Sequence, residues 1–299
     1  MKQAMIIVNP SSGKANALEY VNSVSEVLEA AGYRVKVEET AEPLDATRYC
    51  IAACEGRYET VVSIGGDGTL HETINGLVDR EHRPRLGVVP LGTVNDFARA
   101  LRIPLDPDEA IAALNSPHTR RVDLGRLNEE LFANVVAAGT LPESLAQVTS
   151  EEKSRLGVFA YLKEGVKELV GSHAQPMTIR YNDQVWEGEC PLFIAALTNS
   201  VGGFERLAPG AEVDDGLLHG YIFKDLSLFT TMTASLSLLL GSLEEHKDVI
   251  AFTSDYVEID SPSALRTNVD GETGPPLPIR LRVLPRHIEV IVPAAAEEA

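Results

Sequence analysis

Residues 61–77 read VVSIGGDGTLHETINGL. An apolar run, Val61 to Ile64, ends in Gly65 and Gly66. Asp67 follows, then Gly68 and Thr69, and from about Leu70 the pattern predicts a helix as far as Val78. A strand, a glycine turn and a helix in this order form the junction at which α/β sheets bind ligands. The glycines let backbone approach closely, and the helix start attracts anions. A carboxylate is out of place against bare phosphate. A magnesium ion removes the conflict, because it binds carboxylates and water while bridging nucleotide phosphates. The competing structural reading is a tight turn with Asp67 capping the helix through its side chain.

The same grammar extends to both sides. Ala4–Val8 reads as a strand, followed by the loop NPSSGKA and a helix over about 17–30. Strands are expected at 35–39, 60–64 and 86–89, and helices at 45–55, 70–78, after PLGTVN and at 108–114. Alternating strands and helices imply a parallel sheet with helices on both faces. The loops at 9–13, 65–68 and 90–93 all fall at the carboxyl edge of that sheet, where ligands bind.

After about Val122 strand-like runs dominate: 131–136, 177–181, 192–197, 217–223, 256–260, 279–284 and 287–292, with a turn at Tyr181-Asn182-Asp183. Helices are expected only at about 155–170 and 225–243. The expected architecture is an α/β domain over 1–122 and a mostly antiparallel β-sandwich over 123–299. Packing of the extreme C-terminus back on the first domain is an option.

The chain has 299 residues, 44% hydrophobic and 23% charged, with a formal net charge of -18. That charge argues against general nucleic-acid binding, which needs clustered cations. It also leaves any attraction to anionic lipid to a local patch, of which Arg80, His82, Arg83 and Arg85 are the best candidate; a solvated loop is the plainer reading. Three cysteines are too few for a disulfide framework and fit a reducing cytosol. Cys50 and Cys54 share a helix face and read as packing rather than metal ligands. The N-terminal apolar run is too short for a signal peptide. Leu226–Leu243 is uncharged, but its apolar face opposite a hydroxyl-rich one predicts a core-packed or surface helix rather than a membrane span, with a helix that touches lipid as the minor option.

Gly65, Gly66 and Gly68 do not fit GxGxxG. Gly13-Lys14 fails the P-loop pattern, because Val8 stands at its first glycine and Ala15 follows the lysine.

Taken together, GGDGTLHETINGL and PLGTVNDFARAL resemble the diacylglycerol kinase catalytic domain, in its bacterial soluble lipid-kinase branch. NPSSGKA, NSVGGFERLAPGAEVDDGLLHG and NVDGE are similar to further motifs of that family, in the same order, so the resemblance covers nearly the whole chain. His71 stands where the family usually has Asn. The resemblance implies that Asn9, Pro10, Ser11, Ser12, Gly13, Thr40, Gly65, Gly66, Asp67, Gly68, Thr69, Leu70, His71 and Thr93 hold ATP. It implies that Asp270 and Glu272 lie at the cleft between the domains, one taking the proton from the acceptor hydroxyl and the other supporting metal or base. It implies a separate structural magnesium site from the Asp215 carboxylate and the carbonyls of Glu212 and Leu217. Read on their own residues, Asp270-Gly271 and Asp214-Asp215-Gly216 are equally turn signals. Asn268, Asp270 and Glu272 would share one face if the segment were a strand.

The expected activity is an ATP- and magnesium-dependent kinase for a lipid hydroxyl, most simply diacylglycerol giving phosphatidate, in the cytoplasm with transient membrane contact. The acidic charge then requires a docking patch, or an oligomer such as a homodimer, with a basic face. Arg80–Arg85 and Lys153, Arg155, Lys163 and Lys167 are candidates. The rivals are a kinase for phosphatidylglycerol, a sphingoid base or NAD, and a non-catalytic nucleotide-binding regulator.

Overall fold

The structure is a computed structural model and describes residues 2–12, 16–139, 174–200, 207–225 and 241–294. The helix expected at 155–170, residues 226–240 of the later helix, Gly13, and the basic residues at 153–167 lie outside the described residues. The chain divides into two units, Met1–Leu124 with Pro285–Ala299, and Gly125–Leu284.

In chain order the elements of the first unit are β1 Lys2–Val8, α1 Val21–Ala30, β2 Tyr33–Glu39, α2 Asp45–Glu55, β3 Thr60–Gly65, α3 Asp67–Asn75, β4 Arg85–Pro90, α4 Asp96–Ala100 and α5 Pro107–Ala113. β5, Thr119–Leu127, leads into the second unit. There follow β6 Glu130–Phe132, β7 Val135–Gly139, β8 Gln175–Tyr181, β9 Gln184–Cys190, β10 Leu192–Ala196, β11 Leu218–Phe223, β12 Val249–Ser254, β13 Tyr256–Asp260, β14 Arg266–Val269, β15 Glu272–Pro276 and β16 Ile279–Ile291.

In the first unit β2, β1, β3 and β4 run parallel in that order, and Val290 of β16 pairs with Leu86 of β4. Side chains alternate across a strand. Ala4, Ile6 and Val8 pack with Leu28 of α1 and Ile111 and Leu114 of α5. Met5 and Ile7, on the opposite face, are equally buried. Both faces are therefore covered, as the near-continuous apolar strands require. α2 and α3 pack at Gly76, where a Cβ would come within 2.5 Å of the Cys50 Cβ. Cys50 and Cys54 are buried free thiols in this contact, so they serve packing. Arg286 breaks the course of β16 with φ 49°, and its N–H donates to Asp123 Oδ1 at 2.6 Å instead of to a strand.

The second unit holds two antiparallel arrays. One has the order β12, β11, β10, β7, β14, β15; the other joins the residues before Pro285 of β16 to β13, β8 and β9. Val136, Phe193, Ile222 and Val269 from the first meet Met177, Ile179, Val257 and Ile279 from the second in one core cluster. This is the expected sandwich. The run 131–136, expected as one strand, is instead β6 and β7 with Ala133 and Asn134 between them. The amides there face a side chain rather than a neighbouring strand. The turn at 181–183 has φ 46° at Asn182 and 59° at Asp183, as a two-residue hairpin demands.

Candidate functional site

β3 delivers the chain to the carboxyl edge of the parallel sheet, fully buried along its length. Gly66 is the extended N-cap of α3, and Asp67 is the first helical residue. The helix thus starts three residues earlier than the sequence pattern suggests, because Leu70 N–H already reaches the Gly66 carbonyl at 3.1 Å. Gly68 and Thr69 are first-turn residues, and helix geometry gives the earliest amides no carbonyl of their own helix.

Gly66, the N-cap of α3, has no side chain with which to cap it. The Asp67 carboxylate reaches across to the next loop instead, where its Oδ2 accepts the Asn95 N–H at 3.0 Å. Asn95 is left-handed, φ 55°, and buried. Its Oδ1 accepts from Gly92 N at 3.0 Å and its Nδ2 donates to the Gly92 carbonyl at 2.8 Å. The two loops touch backbone to backbone: a Cβ on Gly92 would lie 3.0 Å from the Gly66 Cα. Leu91 N–H donates to the Gly65 carbonyl at 2.8 Å. Together these segments line a cavity of about 10 Å³, bounded by Ser63, Gly65, Asp67, Leu70, Pro90 and Asn95; that is room for about one water.

The loop after β1 joins the same edge. Asn9 N–H donates to the Ile64 carbonyl at 3.1 Å, and its Nδ2 donates to Thr69 Oγ1 at 3.2 Å. Ser11 N–H donates to Asn9 Oδ1, and Ser12 N–H to the Asn9 carbonyl, so Pro10 and both serines sit in a tight turn. Thr40 N–H donates to the Val8 carbonyl at 2.9 Å. Asp45 pins the loop beyond Thr40 by accepting from Ala41 and Glu42 N–H, at 2.9 and 3.1 Å. Those two amides, helped by Arg48 and opposed by burial, hold its carboxyl below the usual range. His71 turns along its own helix, where its Nε2 and carbonyl both receive Asn75 Nδ2. Thr93 lies in the loop between β4 and α4.

In the second unit Asp270-Gly271 is a hairpin turn, with φ 50° and 94°, between β14 and β15. Cross-strand partners share a face. Asn268 pairs with Thr273 and Val269 with Glu272, so Asn268, Asp270 and Glu272 do not form one strand face. The turn is the reason. The Asp270 carboxylate accepts three backbone amides, from Ala133 at 2.7 Å and from Asn134 and Val135 at 2.9 Å each. Asp215 accepts from Glu212 N–H at 3.1 Å, from Leu217 N–H at 2.8 Å and from His219 Nε2 at 3.0 Å. Burial pushes its carboxyl up, but His219 and the two amides outweigh this and leave it lowered.

Residues 3–127 match the diacylglycerol kinase catalytic domain, and residues 134–292 match the YegS C-terminal NAD kinase beta sandwich-like domain. A diacylglycerol kinase of Staphylococcus epidermidis is 38% identical over 292 residues, covering 98% of this chain and 92% of the relative. The chain belongs to the diacylglycerol kinase catalytic domain family. A diacylglycerol kinase of Staphylococcus aureus is also 38% identical, over 98% of this chain and 93% of its own. The crystal structure of a diacylglycerol kinase from Bacillus anthracis str. Sterne superposes with a TM-score of 0.83 at 27% identity, covering 98% of both chains. Membership of this kinase family makes the protein a phosphotransferase, and the resemblance read from the motifs stands.

Within this family member, Asn95, Asp45 and Glu72 are the residues that motif reading left out. Glu72 Oε2 accepts from Ala46 N–H at 3.3 Å and so ties α2 to α3. Asn tolerates the left-handed region and bonds its own backbone readily, which is the one local signal Asn95 offered. Asp67 at the lip of the fused loops is a hard oxygen donor, and magnesium asks for only one or two carboxylates beside phosphate and water; the residues present fit that ion. The loop at Asp215 is closed by its own hydrogen bonds. Among the described residues no group of three or more His, Cys, Asp or Glu could hold a metal.

Proposed function

We propose that the protein transfers the γ-phosphoryl group of ATP to a lipid hydroxyl, with diacylglycerol giving phosphatidate as the simplest case. The observation that carries this reading is the fusion of the 65–71 and 90–95 loops through Asp67 and Asn95 at the carboxyl edge of the sheet. Phosphoryl transfer is mostly positioning and charge neutralisation, and a rigid amide-rich edge supplies both. The Gly65–His71 segment, Asn9–Gly13, Thr40 and Thr93 hold the nucleotide. Magnesium, when bound, neutralises phosphate charge. The acceptor oxygen bonds to the γ-phosphorus as the bond to the β–γ bridging oxygen breaks. ADP leaves, and the hydroxyl proton passes to a carboxylate.

Asp270 is the leading base. Its three amides fix the carboxylate's direction, which a base needs. They also engage three of roughly four acceptor sites, and this favours a second assignment in which Glu272, exposed at the start of β15, takes the proton. The Glu212, Asp215 and Leu217 cation is a further proposal, tested by melting below.

Among the described residues no helix is long and apolar enough to cross a membrane. The reading places the chain in the cytoplasm and brings the lipid from a membrane surface. Arg80 pairs with Glu55 at 3.6 Å, and Arg85 donates to the Tyr33 hydroxyl, so the 80–85 run is stitched to its own unit. Docking through it, or through a homodimer face, is a proposal that vesicle flotation with the arginines replaced would decide.

The function is tested by incubating the protein with radiolabelled ATP, magnesium and a panel of diacylglycerol, phosphatidylglycerol, a sphingoid base and NAD. Labelled phosphatidate is expected. Nucleotide binding with no label in any acceptor overturns the reading in favour of a regulator.

A further inference from the structure

Thr40 is the first residue beyond β2, whose last residue, Glu39, pairs with Val8. Three hydrogen bonds to side chains of α2 fix the chain on either side of it. The Tyr49 hydroxyl donates to the Glu39 carbonyl at 3.2 Å, and Asp45 Oδ2 accepts from Ala41 and Glu42 N–H at 2.9 and 3.1 Å. Asp45 is 3% exposed, and its Oδ1 meets Arg48 Nη2 at 2.8 Å. α2 is in turn keyed to α3, because Thr47 Oγ1 donates to the Glu72 carbonyl at 2.8 Å. The turn between Thr40 and α2 carries strain. Leu44 is left-handed at φ 69° and 66% exposed, a conformation that costs a side chain of this kind about 1–2 kcal/mol. Burial of the leucine does not offset that cost, and the bonds to Asp45 hold the turn against it. Strain of this kind persists where the surroundings over-determine the backbone, and it gathers at ligand sites.

We infer that Asp45 is a positioning residue: it holds Thr40 in place for the nucleoside end of ATP, and so sets the preference for a nucleotide over a bare polyphosphate. This rests on the reading of Thr40 as a residue that holds ATP. β2 lies two strands from β3, with β1 between them. Thr40 therefore stands roughly 10 Å along the sheet edge from the first turn of α3. That is further than one phosphate lies from the next. With phosphates on the α3 amides, the nucleoside is the part of ATP that extends to Thr40. Asp45 acts through the backbone it pins. Without its two bonds the 40–44 segment is free to leave the competent conformation, and apparent affinity falls in proportion to the fraction that stays competent.

The test compares wild type, Asp45→Ala and Asp45→Asn. It measures Tm, the dissociation constants of ATP and of inorganic tripolyphosphate with magnesium, and KM and kcat for ATP. Wild type is expected to bind ATP more tightly than tripolyphosphate. Asp45→Ala should narrow that preference on the order of tenfold. It should raise KM for ATP by a similar factor and leave kcat nearly constant. Asp45→Asn keeps an oxygen for the two amides and should recover most of the preference. A role confined to stability lowers Tm and leaves the preference unmoved. A preference within about twofold of wild type in Asp45→Ala therefore overturns the inference. Should Asp45→Ala not fold, Tyr49→Phe decides. Loss of its one hydrogen bond is expected to narrow the preference about threefold, and an unchanged preference overturns the inference. A wild type that binds ATP no better than tripolyphosphate overturns it as well. A wild type that prefers ATP and labels no lipid hydroxyl rejects the kinase reading alone.

Discussion

The backbone amide of Asn95 donates to the side chain of Asp67 at 3.0 Å, across 28 residues of chain. The carboxylate in the glycine loop therefore has a structural partner in the next loop as well as a proposed ion. These two roles separate under substitution. Asp67→Asn keeps an oxygen for the amide and removes the charge. It should melt close to wild type and need more magnesium for half-maximal turnover. An unchanged magnesium dependence would reject the metal role.

Asn95→Ala loses both side-chain bonds to Gly92 and leaves a left-handed residue with no local support. Destabilisation of about 1–3 kcal/mol is expected from urea unfolding, with a raised KM for ATP. Asn95→Gly removes the backbone strain and should recover part of the stability without recovering KM. Wild-type nucleotide affinity in both variants would show that the clamp is irrelevant to binding.

Asp270→Asn should lower turnover by a factor on the order of hundreds or more, with KM for ATP nearly constant. It also disturbs three amide contacts, so Tm should fall. Kinetics measured well below that Tm isolate the chemistry. If Glu272→Gln gives the larger loss in kcat, the base is Glu272.

Asp215 and Asp45 are held below their usual range, so each contributes stability that is complete above the unfolded carboxylate value, about 4. That contribution is lost as pH falls through the lower, folded value. Tm measured from about pH 7 down to pH 3 should drop on the acid side, and the drop should be shallower in Asp215→Asn. Asp215→Ala should melt lower at neutral pH. If a chelator lowers the Tm of wild type but not of Asp215→Ala, the cation proposal gains; equal melting with and without chelator rejects it.

Burial pushes the Cys190 thiol up to about 12. At neutral pH it should resist alkylation in the native protein and label only after unfolding, as peptide mapping would read. Rapid native labelling at Cys190 would contradict its burial.

Much of the first unit was legible because each strand and helix announces itself locally. The apolar run Val61–Ile64, the short helix expected at 108–114 and the Cys50–Cys54 helix face all carry their signal within a few residues. What escaped is long-range. No pattern near residue 95 reports a carboxylate 28 residues earlier. The run at 131–136 looks like one strand because the group that interrupts it, Asp270, lies 137 residues away from Ala133. NVDGE fitted both a strand face and a turn. Only the pairing of Val269 with Glu272 decides for the turn.

Arg286 meets Asp123 over a separation of 163 residues, and Val290 runs beside Leu86. During synthesis β4 thus leaves the ribosome with its hydrogen-bonding edge uncovered. It must wait, through the whole making of the second unit, for its late companion. The first unit cannot mature in vectorial order, and a fragment ending at Leu124 would carry an open seam inviting pairing with other copies.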